Sequence, residues 1–131
     1  MKHCKKQWPE LKELIVQTAL ADGTGVPIVL EKAGQQIGLI NDLQRDPRLG
    51  AFTVNARSPA GSKVARAMPW ISRLEQGRIT LLAGGWNEPF ISEAELFSGD
   101  DSHSKDDQLD SVSQGWAELQ NAPAEIIKGF W

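Results

Sequence analysis

Cysteine occurs once, as Cys4, and tyrosine does not occur at all. A lone thiol excludes an internal disulfide framework and fits a reducing compartment. Histidine is almost as scarce: His3, His103 and Cys4 together offer no zinc-ligand spacing. No apolar run approaches the length of a membrane-spanning helix. The opening MKHCKKQWPE is basic but leads into no apolar stretch, so no secretory leader is expected and an intracellular, soluble protein is. The stretch AGSKV places Ser62 where a phosphate-binding loop needs glycine, which argues against ATP hydrolysis. Serine is plentiful, yet no G-x-S-x-G elbow is present.

What is there suits one globular domain spanning residues 1–131, long enough for a real core. The net charge of −3 is mild but unevenly spread. Arg57, Lys63, Arg66, Arg73 and Arg78 share one segment, opposed by Glu75. Glu93, Glu95, Asp100, Asp101, Asp106, Asp107 and Asp110 share another, opposed by Lys105. Cations for a backbone and carboxylates for metal are what phosphodiester chemistry needs. The plainer alternative is two solvated faces.

Apolar spacing predicts helices alternating with short strands. Pro9 and Gly23 bracket a helix over 9–21 with Leu11, Leu14, Ile15 and Thr18 on one stripe. VPIVLE (26–31) reads as a buried strand that ends on Glu31, and open α/β sheets place functional groups at such ends. Ile37, Ile40 and Leu43 mark a helix that stops before Pro47. AFTVN (51–55) is a second strand, and NARSPAGS a loop. A helix capped by Ser62 and ended at Gly77 turns Val64, Met68, Ile71 and Leu74 inward. RITLL (78–82) is a third strand, and Pro89 starts a short helix over 89–97. The last long helix covers 106–120, with Leu109, Val112, Trp116 and Leu119 as its stripe. The tail NAPAEIIKGFW is expected to fold back on the body. The class is therefore α/β.

The head of that last helix carries an excess of acid. One Asp would satisfy free N–H groups and complement the helix dipole. Asp106, Asp107 and Asp110 repel one another unless a cation sits between them. If the last helix packs across the sheet, they converge with Glu31 on an all-oxygen donor set suited to Mg2+ or Mn2+, and two such ions can clamp the attacking and leaving oxygens of a phosphodiester. His103 or Lys105 could orient water or touch a phosphate. A capped helix with surplus surface acid is the rival reading.

AGSKVARAMPWISRLEQGRITLLAGGWNEPFISEAELF followed by KDDQLDSVSQGWAEL resembles the C-terminal nuclease domain of tailed-bacteriophage terminase large subunits. The pieces carrying the likeness are Lys63, Arg66, Ala67 and Pro69; Gly77 to Leu81; Trp86, Asn87 and Phe90; and Asp106, Asp107, Gln108 and Asp110. VPIVLEKAGQQIG resembles the family strand that ends in a metal-binding acid, here Glu31. The resemblance implies a ribonuclease H-like fold and metal-dependent cutting of double-stranded viral DNA in the bacterial cytoplasm. It implies metal ligation by Glu31, Asp107 and Asp110, with Asp106 not separable from Asp107. Lys63 and Arg66, with Arg73 of the same basic segment, become candidates for phosphate contact. The family histidine before the acid pair is Lys105 here, with His103 two residues earlier.

By the resemblance, the first antiparallel strands of that fold, which carry another catalytic Asp, are expected to be missing here, as is an ATPase domain. An incomplete fold of about three strands is therefore expected, with weak or no cleavage. The alternative is a non-catalytic remnant that binds DNA or a packaging protein. An uncovered sheet edge is expected to favour homo-oligomers.

Overall fold

The structure, a computed structural model, describes residues 5–32, 34, 36–98 and 106–121. The described residues fall into two compact units that divide between Pro59 and Ala60.

The first unit is a helix followed by a β-α-β crossover. α1 (Trp8–Asp22) has Pro9 in its first turn, where a missing N–H costs nothing. It ends at Gly23, whose φ of 89° suits glycine and whose N–H returns to the Ala19 carbonyl at 2.9 Å. β1 (Ile28–Glu31) and β2 (Val54–Arg57) pair in parallel, with Ile28 opposite Val54 and Glu31 opposite Arg57. A parallel pair needs a crossover, and α2 (Gln36–Gln44) with a 3-10 turn at Pro47–Leu49 supplies it. Val16, Ala19, Leu39, Leu43 and Leu49 form the core, against which Ile28, Leu30 and Val54 pack. Gly38 lies beneath the Trp8 ring, where a Cβ would collide.

An ion-pair network ties α1 to the 3-10 turn. Arg48 donates through Nε (3.0 Å) and Nη2 (2.9 Å) to Asp46, and through Nη1 (2.9 Å) to Glu13; Lys12 lies 3.3 Å from Asp46. The Arg48 side chain holds the Asp46 carboxyl well below the usual carboxylate range, helped by the Arg48 N–H and by Lys12. Hydrogen bonds from Gln17 and then Arg48 lower Glu13 in the same way. A carboxyl depressed in the folded state adds stability above its unfolded pKa of about 3.9, and that stability is lost as pH falls below it. Wild type should therefore lose melting temperature steeply as pH drops below about 4. Asp46→Asn should melt lower at neutral pH and show a shallower acid slope. Thermal melts across pH 3 to 7, followed by circular dichroism, check this (the range is set by roughly one unit of titration below and three above that pKa). Parallel curves for the two proteins would refute it.

The second unit is helical: α3 (Lys63–Glu75), α4 (Asn87–Glu95) and α5 (Asp107–Asn121). Ser62 caps α3 by accepting from the Ala65 N–H at 3.2 Å. Ala67, Trp70, Phe90 and Leu109 form its core, one helix contributing to the next. Asn87 staples the preceding loop, accepting from Gly84 N–H and donating to the Leu82 carbonyl at 3.2 Å. Trp86 meets Phe90 edge-on, with centroids 5.8 Å apart. The W-N-x-x-F segment is thus a structural corner.

Several sequence expectations are corrected. Residues 78–82 form no strand, and the described sheet has two strands, not three. Ile79 and Leu81 pack inward while Leu82 is 82% exposed, so the alternation is real. A ladder partner is what this segment lacks among the described residues. The first strand is half-buried rather than buried and starts at Ile28; the second is shifted to 54–57. On α3 the buried face is Ala67 and Trp70, while Met68 is 48% exposed. Ile37 and Leu119 are also exposed. The tail's fold-back falls outside the described residues.

Candidate functional site

The acidic head of α5 lies against the basic head of α3. Lys63 Nζ sits 2.6 Å from Asp106 Oδ2 and 3.9 Å from Asp110 Oδ2. Arg66 Nη2 donates to Asp110 Oδ1 at 3.0 Å, and its Nη1 to the Gly61 carbonyl at 3.0 Å. Asp106 is only 8% exposed, and a carboxylate so enclosed costs several kcal/mol unless a cation compensates it. The spacing of the four explains how they meet. Lys63 and Arg66 are three apart, Asp106 and Asp110 four apart, so each pair shares a flank of its helix. Two carboxylates face two cations, and the exposed Asp107 lies beside them.

The free N–H groups at the head of α5 are not left to these aspartates. Glu93, on α4, accepts from the backbone N–H of Gln108 at 2.8 Å and of Leu109 at 2.9 Å through Oε1. Its Oε2 accepts from the Gln108 side-chain amide at 2.8 Å. A carboxylate from a neighbouring helix therefore caps α5 and complements its dipole. Sequence reasoning counted Glu93 as part of an acidic run and missed this. The one available signal was a helix start carrying three aspartates where a single capping residue is usual.

Arg73 lies over the Trp116 ring, 5.9 Å from its centroid, which fastens the far end of α3 to α5. The structure thus brings Asp106, Asp110, Lys63 and Arg66 together and engages Arg73 with an aromatic face. Glu31 belongs to the other unit, half-buried at the end of β1 with Arg57 as its register partner. His103 and Lys105 lie outside the described residues. The blocks of charge that look segregated along the sequence meet in space, at least at Lys63, Arg66, Asp106 and Asp110.

Chemically, the α5 head offers hard oxygen donors, the kind that suit Mg2+ or Mn2+. Two of them, on Asp106 and Asp110, converge on one cation, the Lys63 ammonium. Among the described residues, no group of three or more His, Cys, Asp or Glu side chains is placed to hold a metal ion. No helix among them is long and apolar enough to cross a membrane.

A family described as the terminase RNaseH-like domain matches residues 4–118. No curated protein and no solved structure matches the chain.

Proposed function

The chain belongs to the terminase RNase H-like domain family, and on that premise we propose that it cuts double-stranded viral DNA with a divalent metal ion during genome packaging in a bacterial host. The observation that carries the reading is the family match running through the α5 head, where two carboxylates already share a cation. Glu31, Asp106, Asp107 and Asp110 are the proposed Mg2+ or Mn2+ ligands, with Glu31, Asp107 and Asp110 as the catalytic set. In kind they fit such an ion: every donor is a carboxylate oxygen.

A divalent ion, when bound, would supply Lewis-acid charge stabilisation to phosphodiester hydrolysis. The residues themselves hold and orient. Glu93 fixes the first turn of α5, and with it the direction of Asp106 and Asp110. Lys63, Arg66 and Arg73 are proposed to meet backbone phosphates by giving up part of their present contacts. The structural ion pairs therefore set the strength of DNA binding.

Those same pairs favour a second reading. With Lys63 and Arg66 neutralising Asp106 and Asp110, the chain could serve as a module that binds DNA or a packaging protein without cutting. Nicking of supercoiled plasmid in Mn2+ separates the two. The nuclease reading expects metal-dependent nicking that falls on the order of 100-fold or more in Glu31→Ala and Asp107→Ala. Intact plasmid that is retarded in a gel equally by all three proteins would leave the binding module.

A further inference from the structure

Asp106 and Asp110 already share a cation, and that cation is tethered. Lys63 Nζ is 2.6 Å from one carboxylate and 3.9 Å from the other. Arg66 holds Asp110 from the far side through Oδ1 and is itself braced on the Gly61 carbonyl. The two cations are therefore not equivalent. Arg66 is a planar fork fixed at two ends, whereas Lys63 is a point charge on a flexible stem at the first residue of α3. Lys63 can swing away without unwinding the helix, because Ser62 and not Lys63 caps it.

We propose that the Lys63 ammonium occupies the position that a divalent ion takes between Asp106 and Asp110, so that Lys63 is an internal competitor for metal. The inference rests on the nuclease reading and adds a means of regulation to it. When the ammonium leaves, the two carboxylates lack one positive charge, and a divalent ion restores it. A backbone phosphate is a natural acceptor for the departing ammonium. By linkage, whatever draws Lys63 toward a polyanion tightens metal binding, and metal binding releases Lys63 for the polyanion. DNA and metal then load together, and a centre without DNA keeps its acids covered.

Calorimetric titration of Mn2+ into the full chain tests this. Lys63→Met should bind Mn2+ about tenfold more tightly than wild type, the factor given by removing one charge-assisted competitor. Lys63→Arg, which keeps the charge, should show no gain. Adding Asp106→Asn to Lys63→Met should abolish the gain, which places it at this pair. Circular dichroism confirms that each variant is folded. Lys63→Gln, which keeps a donor to Asp106 without the charge, replaces the methionine variant if that one melts. Binding only after the lysine is neutralised would also support the proposal. Equal binding by wild type and Lys63→Met would leave the metal site standing and overturn the competitor. No binding by any variant would overturn both.

Discussion

Trp70→Ala should cost about 3–5 kcal/mol, the range for removing a fully buried large aromatic. Trp70 is 2% exposed and touches every helix of its unit: it lies on α3, its ring centroid is 6.5 Å from that of Phe90 on α4, and its Nε1 donates to Ser113 Oγ on α5 at 2.9 Å. Units of this size are typically stabilised by only about 3–9 kcal/mol at common per-residue values. One substitution therefore removes a large share of what holds the three helices. Trp70→Phe should cost less, because the ring remains, but it leaves the buried Ser113 hydroxyl without its donor, a penalty of about 1–3 kcal/mol. Urea titration of the helical signal, with hydrogen exchange over α3 to α5, should rank wild type above Trp70→Phe above Trp70→Ala. A Trp70→Ala midpoint matching wild type would refute this account of the core.

The same tryptophan shows what the sequence could and could not reveal. Helix α3 was legible, from its cap at Ser62 to its end before Gly77. Its orientation was not. Val64, Met68, Ile71 and Leu74 have helical spacing, but so do Ala67, Trp70, Ile71 and Leu74, and both stripes are apolar. The buried stripe is the one whose indole packs with Phe90 and Leu109 and whose N–H finds Ser113 on another helix. No local pattern announces a partner 43 residues away.

Residues 78–82 failed for the converse reason. Their alternation was read correctly, but a strand exists only with a neighbour to bond, and alternation says nothing about neighbours. That two strands flank a helix was legible from short apolar, β-branched runs, whereas their bounds and their parallel pairing came from the fold. At the candidate site, the sequence supplied the residues and the resemblance supplied their roles. Charge blocks along a chain nevertheless suggest separate surfaces, and folding joined Lys63 and Arg66 to Asp106 and Asp110 instead. Ion pairs between helices are set by packing, which composition does not encode.

Glu93→Ala should destabilise the α5 head by about 2–3 kcal/mol, more than loss of an ordinary cap, because the lost acceptor is charged and serves more than one donor. Two backbone N–H groups and the Gln108 amide would lose a partner at once. Asp106, itself enclosed and paired to Lys63, cannot turn to serve them without abandoning that pair. Glu93→Gln should cost less, about 1 kcal/mol, since its amide oxygen can still accept from the backbone while the charge is gone. Amide hydrogen exchange at Gln108 and Leu109 should speed up in both variants, and more in the alanine. Coupling to Lys63 gives the sharper reading. If Glu93 holds the turn that aims Asp106 at Lys63, a fraying head already weakens that pair, so Lys63→Met should cost less in a Glu93→Ala background than in wild type. A double-mutant cycle on urea stability measures the difference. Additive costs would mean that Glu93 closes the helix without directing its acids, and the orientation of Asp106 and Asp110 would then have to come from α3 alone.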